Sequence, residues 1–188
     1  MSKVIFDMSM SLDGYVKAAG ATADEPLGQG GERLHEWAMA DDTAGRELLD
    51  TAVAEAGAYI GGRRTYDDSL RWWGADGPTG PARLPLFVVT HKQPEEVPAD
   101  SVYTFVTDGI ESALRQAKEA AGDRSVYIMG GPNLAGQYVR AGLVDQIGVH
   151  LVPVIFGGGD RLVDHVGDHI QLEVVGVSAT HLLYDIVK

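Results

Sequence analysis

The amino-acid sequence predicts an α/β protein whose mostly parallel sheet is flanked by helices and closes in an antiparallel hairpin. Three observations carry that expectation. Short apolar runs alternate with stretches of helical spacing, as in chains that wind a sheet between helices. Glycine-rich turns follow several of the apolar runs. From Ile170 onward, two alternating segments, Gln171 to Val177 and His181 to Val187, flank the turn residues Ser178-Ala179-Thr180. The 188 residues contain no internal repeat, charge block or linker that would divide them, so one domain spanning 1–188 is expected.

Lys3 to Met10 reads as the first strand, apolar at Val4, Ile5, Phe6 and Met8, and it ends in Ser11-Leu12-Asp13-Gly14-Tyr15, where Asp-Gly marks a turn. Ala18 to Gly31 is rich in Gly and Ala without periodicity and reads as a loop, long enough to suggest a functional role. Glu32 to Ala40 is helical by pattern, with Leu34, Trp37 and Ala38 on one face, and Ala44 to Ala56 forms a second helical stretch. Ala58-Tyr59-Ile60 is a short strand that runs directly into Gly61-Gly62-Arg63-Arg64-Thr65. Beyond a Gly/Pro-rich loop, Leu86 to Thr90 and Val102 to Val106 are strands, and Ile110 to Ala121 is a helix, with Asp108 and Glu111 at capping-box spacing. Val126 to Met129 is a buried strand that opens, through Gly130-Gly131, into a helix starting at Pro132. Proline suits a first helical position because its missing N–H has no partner there. Val144 to Ile155 is the next strand, broken by Gly157-Gly158-Gly159-Asp160.

The composition narrows the function classes. A formal net charge of −12 argues against a nucleic-acid or membrane-surface binder, which would carry a basic face. The absence of cysteine excludes a disulfide framework, a thiol nucleophile and a cysteine-bound zinc. No apolar run approaches the roughly 20 residues of a membrane span, and the N-terminus has no signal-peptide pattern, so a cytoplasmic protein is expected. His165 and His169 stand four apart, but Gly167 lies between them and no third ligand is evident, so no metal is expected.

The chemistry is expected at the carboxyl ends of the strands, where the turns of an α/β sheet gather. Neither G-x-G-x-x-G nor a Walker loop is present. Gly130-Gly131-Pro132 reads either as a plain tight turn or as a helix start whose free N–H groups and dipole suit a phosphate. Gly62-Arg63-Arg64-Thr65 combines two guanidinium forks, backbone N–H groups and a hydroxyl. It suits a dianionic phosphate, or else it is a solvated basic pair at a helix start.

Taken in order, Ser11-Leu12-Asp13-Gly14-Tyr15, Gly62-Arg63-Arg64-Thr65-Tyr66, Val88-Val89-Thr90, Gly130-Gly131-Pro132-Asn133-Leu134, Gly142-Leu143-Val144-Asp145 and Pro153-Val154-Ile155-Phe156-Gly157-Gly158-Gly159 resemble the dihydrofolate reductase-like superfamily. The similarity is greatest to the branch that contains the C-terminal reductase domain of the bifunctional riboflavin-biosynthesis enzyme, and it covers nearly the whole chain. The resemblance implies NADPH lying across the strand ends. Gly62, Arg63, Arg64 and Thr65 would hold phosphates, with Arg63 favoured for the 2′-phosphate, and Thr90 and His91 would border the adenosine. Gly130, Gly131, Asn133 and Leu134 would cradle the pyrophosphate.

The resemblance also implies hydride transfer to a small heterocycle, pyrimidine-like or pterin-like, beside Asp13, Gly14 and Tyr15. A proton must quench the charge that hydride addition leaves, and Asp13 and Asp41 are the candidate acids. The motif around Glu36, Asp41 and Asp42 departs from that of the folate enzyme. Tyr15 and Trp37 are the candidate substrate contacts, Trp37 as a stacking face or as a half-buried core residue. A binding or regulatory module of the same fold without turnover is the alternative, and the β-rich C-terminus is compatible with a homodimer.

Overall fold

The computed structural model describes residues 2–39, 43–178 and 180–187. Its main sheet has eight strands. They are β1 (Val4–Ser11), β3 (Ala56–Gly62), β4 (Leu86–Val89), β5 (Tyr103–Val106), β6 (Ser125–Met129), β7 (Gln146–Val152), β9 (Leu172–Ser178) and β10 (His181–Ile186). The spatial order is β5-β4-β3-β6-β1-β7-β10-β9. The six strands from β5 to β7 are mutually parallel, while β10 runs antiparallel to β7 and β9 antiparallel to β10. This is the mixed sheet that the alternation of elements predicts.

The helices are α1 (Glu36–Met39), α2 (Thr43–Glu55), α3 (Arg63–Trp73), α4 (Ile110–Ala121) and α5 (Pro132–Arg140). Two core clusters lie on the sheet's two faces. On one face, Val4, Phe6, Ala58, Ile60, Val126 and Ile128 pack against Ala113, Leu114 and Ala117 of α4 and Leu134, Ala135 and Tyr138 of α5. On the other, Ile5, Tyr59, Leu86, Val88 and Tyr127 pack against Tyr66 of α3, with Val53 of α2 alongside. The period-2 alternation of the strands sends neighbouring side chains to opposite clusters, as a sheet covered on both faces requires.

Four details depart from the sequence expectation. The helical pattern of Glu32 to Ala40 begins as a tight 3₁₀ turn, Gly31–His35, before α1. The strand expected from Val144 to Ile155 spans only Gln146–Val152, ending where the Val154 N–H donates back to the Val152 carbonyl at 2.8 Å, and Gly159–Arg161 forms β8, which pairs with β2 (Tyr15–Ala18) in a separate ribbon. That ribbon was not foreseen, since each partner has only three or four residues and the pairing depends on tertiary contact. Asp108 does not cap α4: the N-cap is Gly109, at φ 104°, with no side-chain cap.

Candidate functional site

Because six strands point the same way, the turns after β1, β3, β4, β5, β6 and β7 all emerge at one edge of the sheet. Helices α3, α4 and α5 begin there. The N-caps of α3 and α5 are Gly62 and Gly131, and neither offers a side chain to the first N–H groups of its helix. The two starts touch. Gly130 has φ +70°, and a Cβ there would lie 2.4 Å from Cγ2 of Thr65, while Cβ atoms at Gly62 and Gly131 would meet Leu134. Close approach is therefore possible only because glycine stands at Gly130. The Gly130 N–H points to Sδ of Met8 at 3.2 Å.

The arginines differ in their surroundings. Arg63 donates from Nε to both carboxylate oxygens of Asp67, at 2.8 and 2.9 Å, and from Nη1 to the Lys92 carbonyl at 2.8 Å. Thr90 reaches the same carbonyl through its hydroxyl, at 2.8 Å, and so pins the turn after β4, where His91 is exposed. Arg64 is exposed and makes no ion pair among the described residues. Asn133 accepts from the Gln137 amide at 2.9 Å. Leu134 is 7% exposed and lies in the core, so it supports the turn from beneath and does not line it. These residues fit an extended anionic dinucleotide: two open helix starts, a glycine floor and an unpaired guanidinium share one ledge.

Asp13 occupies a different position from that of an exposed acid. Its carboxylate accepts from the Ser11 hydroxyl at 2.7 Å and from the N–H groups of Phe156 and Gly157 at 3.1 and 2.7 Å. Burial would raise its pKa, but the Ser11 hydroxyl and the Gly157 and Phe156 N–H groups outweigh it and hold the carboxyl below the ordinary 3.8. An ionised carboxylate used as a triple acceptor ties the turn after β1 to the turn after β7. In this position Asp13 acts as a turn-fixing acceptor. Asp41 lies outside the described residues.

The two candidate substrate contacts face different walls. Tyr15 on β2 lies under the Arg161 guanidinium, 4.9 Å from its ring centroid, and its hydroxyl accepts from Arg161 at 3.3 Å. Trp37 on α1 donates from Nε1 to the Ser9 hydroxyl at 3.0 Å, and its ring lies 4.4 Å from that of His150 and 4.7 Å from that of His181. Trp37 also lines a cleft with Arg33, Glu36, Val152, Pro153 and Val154.

Beneath Trp37 lies a polar row that sequence reading missed. Register sets Ser9 beside His150 and His150 beside His181 across β1, β7 and β10, with Asp7 one pleat earlier on β1. His150 Nε2 is 3.0 Å from Asp7 Oδ2, and its Nδ1 is 2.5 Å from His181 Nδ1. His35 lies close enough that burial, and then the charge of His150, lower its pKa. The signal in the sequence was the polar series Asp7, Ser9, Ser11 at period 2 within an otherwise apolar strand. Among the described residues no group of three His, Asp or Glu side chains is placed to hold a metal ion, and no helix is long and apolar enough to cross a membrane.

Comparison with known proteins places this geometry. A family model described as the RibD C-terminal domain matches residues 2–182. The uncharacterised protein YyaP of Bacillus subtilis is 23% identical over 182 residues, covering 92% of this chain and 86% of that protein. The riboflavin biosynthesis protein RibD of Mycobacterium tuberculosis is 33% identical over 129 residues, covering 65% of this chain. The match spans only 35% of the length of that relative. Among solved structures, dihydrofolate reductase from Enterococcus faecalis superposes with a TM-score of 0.57 at 12% identity, covering 99% of this chain and 97% of its own, and shares the fold.

Proposed function

From the premise that the chain belongs to the RibD C-terminal domain family, we propose that it is an NADPH-dependent reductase of a small heterocycle. The single observation that carries this reading is the meeting of two uncapped helix starts at Gly130 and Thr65, with Arg64 open beside them. The N–H groups that open α3 and α5 would hold the pyrophosphate, with Asn133 and Thr65 at its flanks. Thr90 and His91 would border the adenosine. Arg64, not Arg63, is the guanidinium available to a 2′-phosphate, because Asp67 and the Lys92 carbonyl already engage Arg63. When bound, the reduced nicotinamide supplies a hydride.

The chain's own residues would position the substrate and exclude water. Trp37 offers an aromatic face beside a cleft lined by Arg33 and Glu36, which suits a flat ring bearing hydrogen-bonding and anionic groups. A pyrimidine of the riboflavin pathway fits that description, and 5-amino-6-(5-phosphoribosylamino)uracil is the substrate to test first. The dimeric form belongs to the same reading: β9 ends the sheet with Val174 and Val177 exposed, an edge suited to a second copy.

Titration with NADPH and with NADH, followed by nicotinamide fluorescence, tests the cofactor half. Selective binding of NADPH is expected, and binding of neither overturns the proposal. Binding without oxidation on adding candidate pyrimidines and pterins would favour a regulatory module of the same fold.

A further inference from the structure

The reductase reading leaves the proton unassigned, since Asp13 is an engaged acceptor. Asp7 is different. Its side chain is 28% exposed, whereas that of His150 behind it is 14% exposed. On β1 it pairs with Met129, the residue that precedes the Gly130-Gly131 turn, so its carboxylate stands one strand from the dinucleotide ledge. Room for it is made by Gly148: a Cβ there would lie 2.2 Å from Asp7 Oδ1.

The histidine contact fixes one proton. Two unprotonated Nδ1 lone pairs at 2.5 Å would repel, and two N–H groups would collide, so one proton lies between the rings. When Nε2 of both rings is protonated as well, the pair holds three protons and one positive charge. His150 Nε2–H then donates to the ionised Asp7 carboxylate.

Resting on the reductase reading, we propose that Asp7 is the proton donor of the reduction and that His150 and His181 are the positioning residues that recharge it. The balance closes. Hydride adds to the carbon of a C=N or C=O bond, the π pair moves to the nitrogen or oxygen, and that atom takes a proton from Asp7. Asp7 receives its proton from His150 Nε2, and the shared proton settles on His150 Nδ1. His150 and His181 are then both neutral, their contact is unbroken, and Asp7 is an anion once more. Solvent returns one proton to the pair before the next turnover.

Tyr59 on β3 is pushed up to about 12 by burial and then by the Asp7 charge, so it stays neutral and does not compete as a base. Tyr127 on β6 is raised further by burial, then by Glu55 and Asp7, and also stays neutral. His35, from the 3₁₀ turn before α1, is held towards its neutral form. Ser9 on β1 and Trp37 on α1 complete the enclosure. No other described cation is shown pairing with Asp7.

The test combines kinetics with a readout that needs no substrate. In wild-type protein carrying ¹⁵N-histidine, the Nδ1 atoms of His150 and His181 should show scalar coupling across one shared proton. Turnover is read with NADPH and 5-amino-6-(5-phosphoribosylamino)uracil. Asp7→Asn should lower kcat by about 100-fold or more while leaving the Kd for NADPH within about twofold, and Asp7→Glu should restore part of the rate. His181→Gln, a second variant should Asp7→Asn not fold, should lower kcat by about tenfold or more and shift its pH profile while leaving the Kd for NADPH within about twofold. Absence of that coupling, or an Asp7→Asn enzyme with wild-type kcat and pH profile, overturns the relay and leaves the reductase reading intact. Absence of NADPH binding by the wild-type chain overturns both.

Discussion

Arg63 and Arg64 are adjacent in sequence and unequal in structure. The i to i+4 pairing with Asp67 occupies Nε of Arg63, while Arg64 extends into solvent. Charge-assisted contacts to phosphate are the strong class of hydrogen bond, so Arg64→Ala should weaken NADPH binding by about tenfold and bring it towards NADH. Arg63→Ala should act mainly on the turn after β4, through the Lys92 carbonyl, and leave the NADPH-to-NADH ratio largely in place. Fluorescence titration of both variants with both cofactors separates these outcomes.

Asp13 gives a pH prediction of definite sign. Its folded pKa lies below the unfolded value, so its stabilising contribution is present above about pH 4 and is lost as pH falls through the folded value. Asp13→Asn should therefore lower the melting temperature at pH 7, and the difference from wild type should shrink as pH falls through the folded value. Gly130→Ala combines a left-handed backbone with a collision against Thr65, and should cost about 1–3 kcal/mol by denaturant unfolding as well as weakening NADPH binding.

Elements show which features the sequence could reveal. The start of α5 was legible because its determinants are local: two glycines with φ near +70° and a proline at the first helical position. Helix α4 was legible in both its ends, although its cap was misread, since the turn geometry placed Gly109 and not Asp108 at the cap. The His150–His181 contact was not legible. It depends on the register between β7 and β10, and the Asp7 contact spans 143 residues. No local pattern encodes such a meeting. A further element-level contact joins α5 to α4: the fully buried Tyr138 donates its hydroxyl to the Ile110 carbonyl at 2.8 Å. Tyr138→Phe leaves that carbonyl without this donor and should cost about 1 kcal/mol, measurable as a lower denaturation midpoint.

At the scale of the whole molecule, β1 sits between β6 and β7 and so links two side-chain clusters through one strand. On its β6 side the chain turns into the glycine-rich start of α5, and on its β7 side lie the histidines. The far edge of the sheet, at β9, carries Val174 and Val177 at 58% and 66% exposure. If two copies meet there, sedimentation velocity should show a dimer that Val174→Lys with Val177→Lys converts to monomer. A monomeric wild-type chain at working concentration would assign that edge no such role.

The order of elements along the chain also sets a schedule for synthesis. The ribosome delivers β3, α3, β6 and α5 before β7 and β10, because domains emerge from their N-terminal side. A nascent chain that has passed Arg140 already contains both helix starts of the ledge, but neither His150 nor His181. The proposed dinucleotide ledge is therefore encoded ahead of the proposed proton relay, and β10, the last strand to pair with β7, completes that relay.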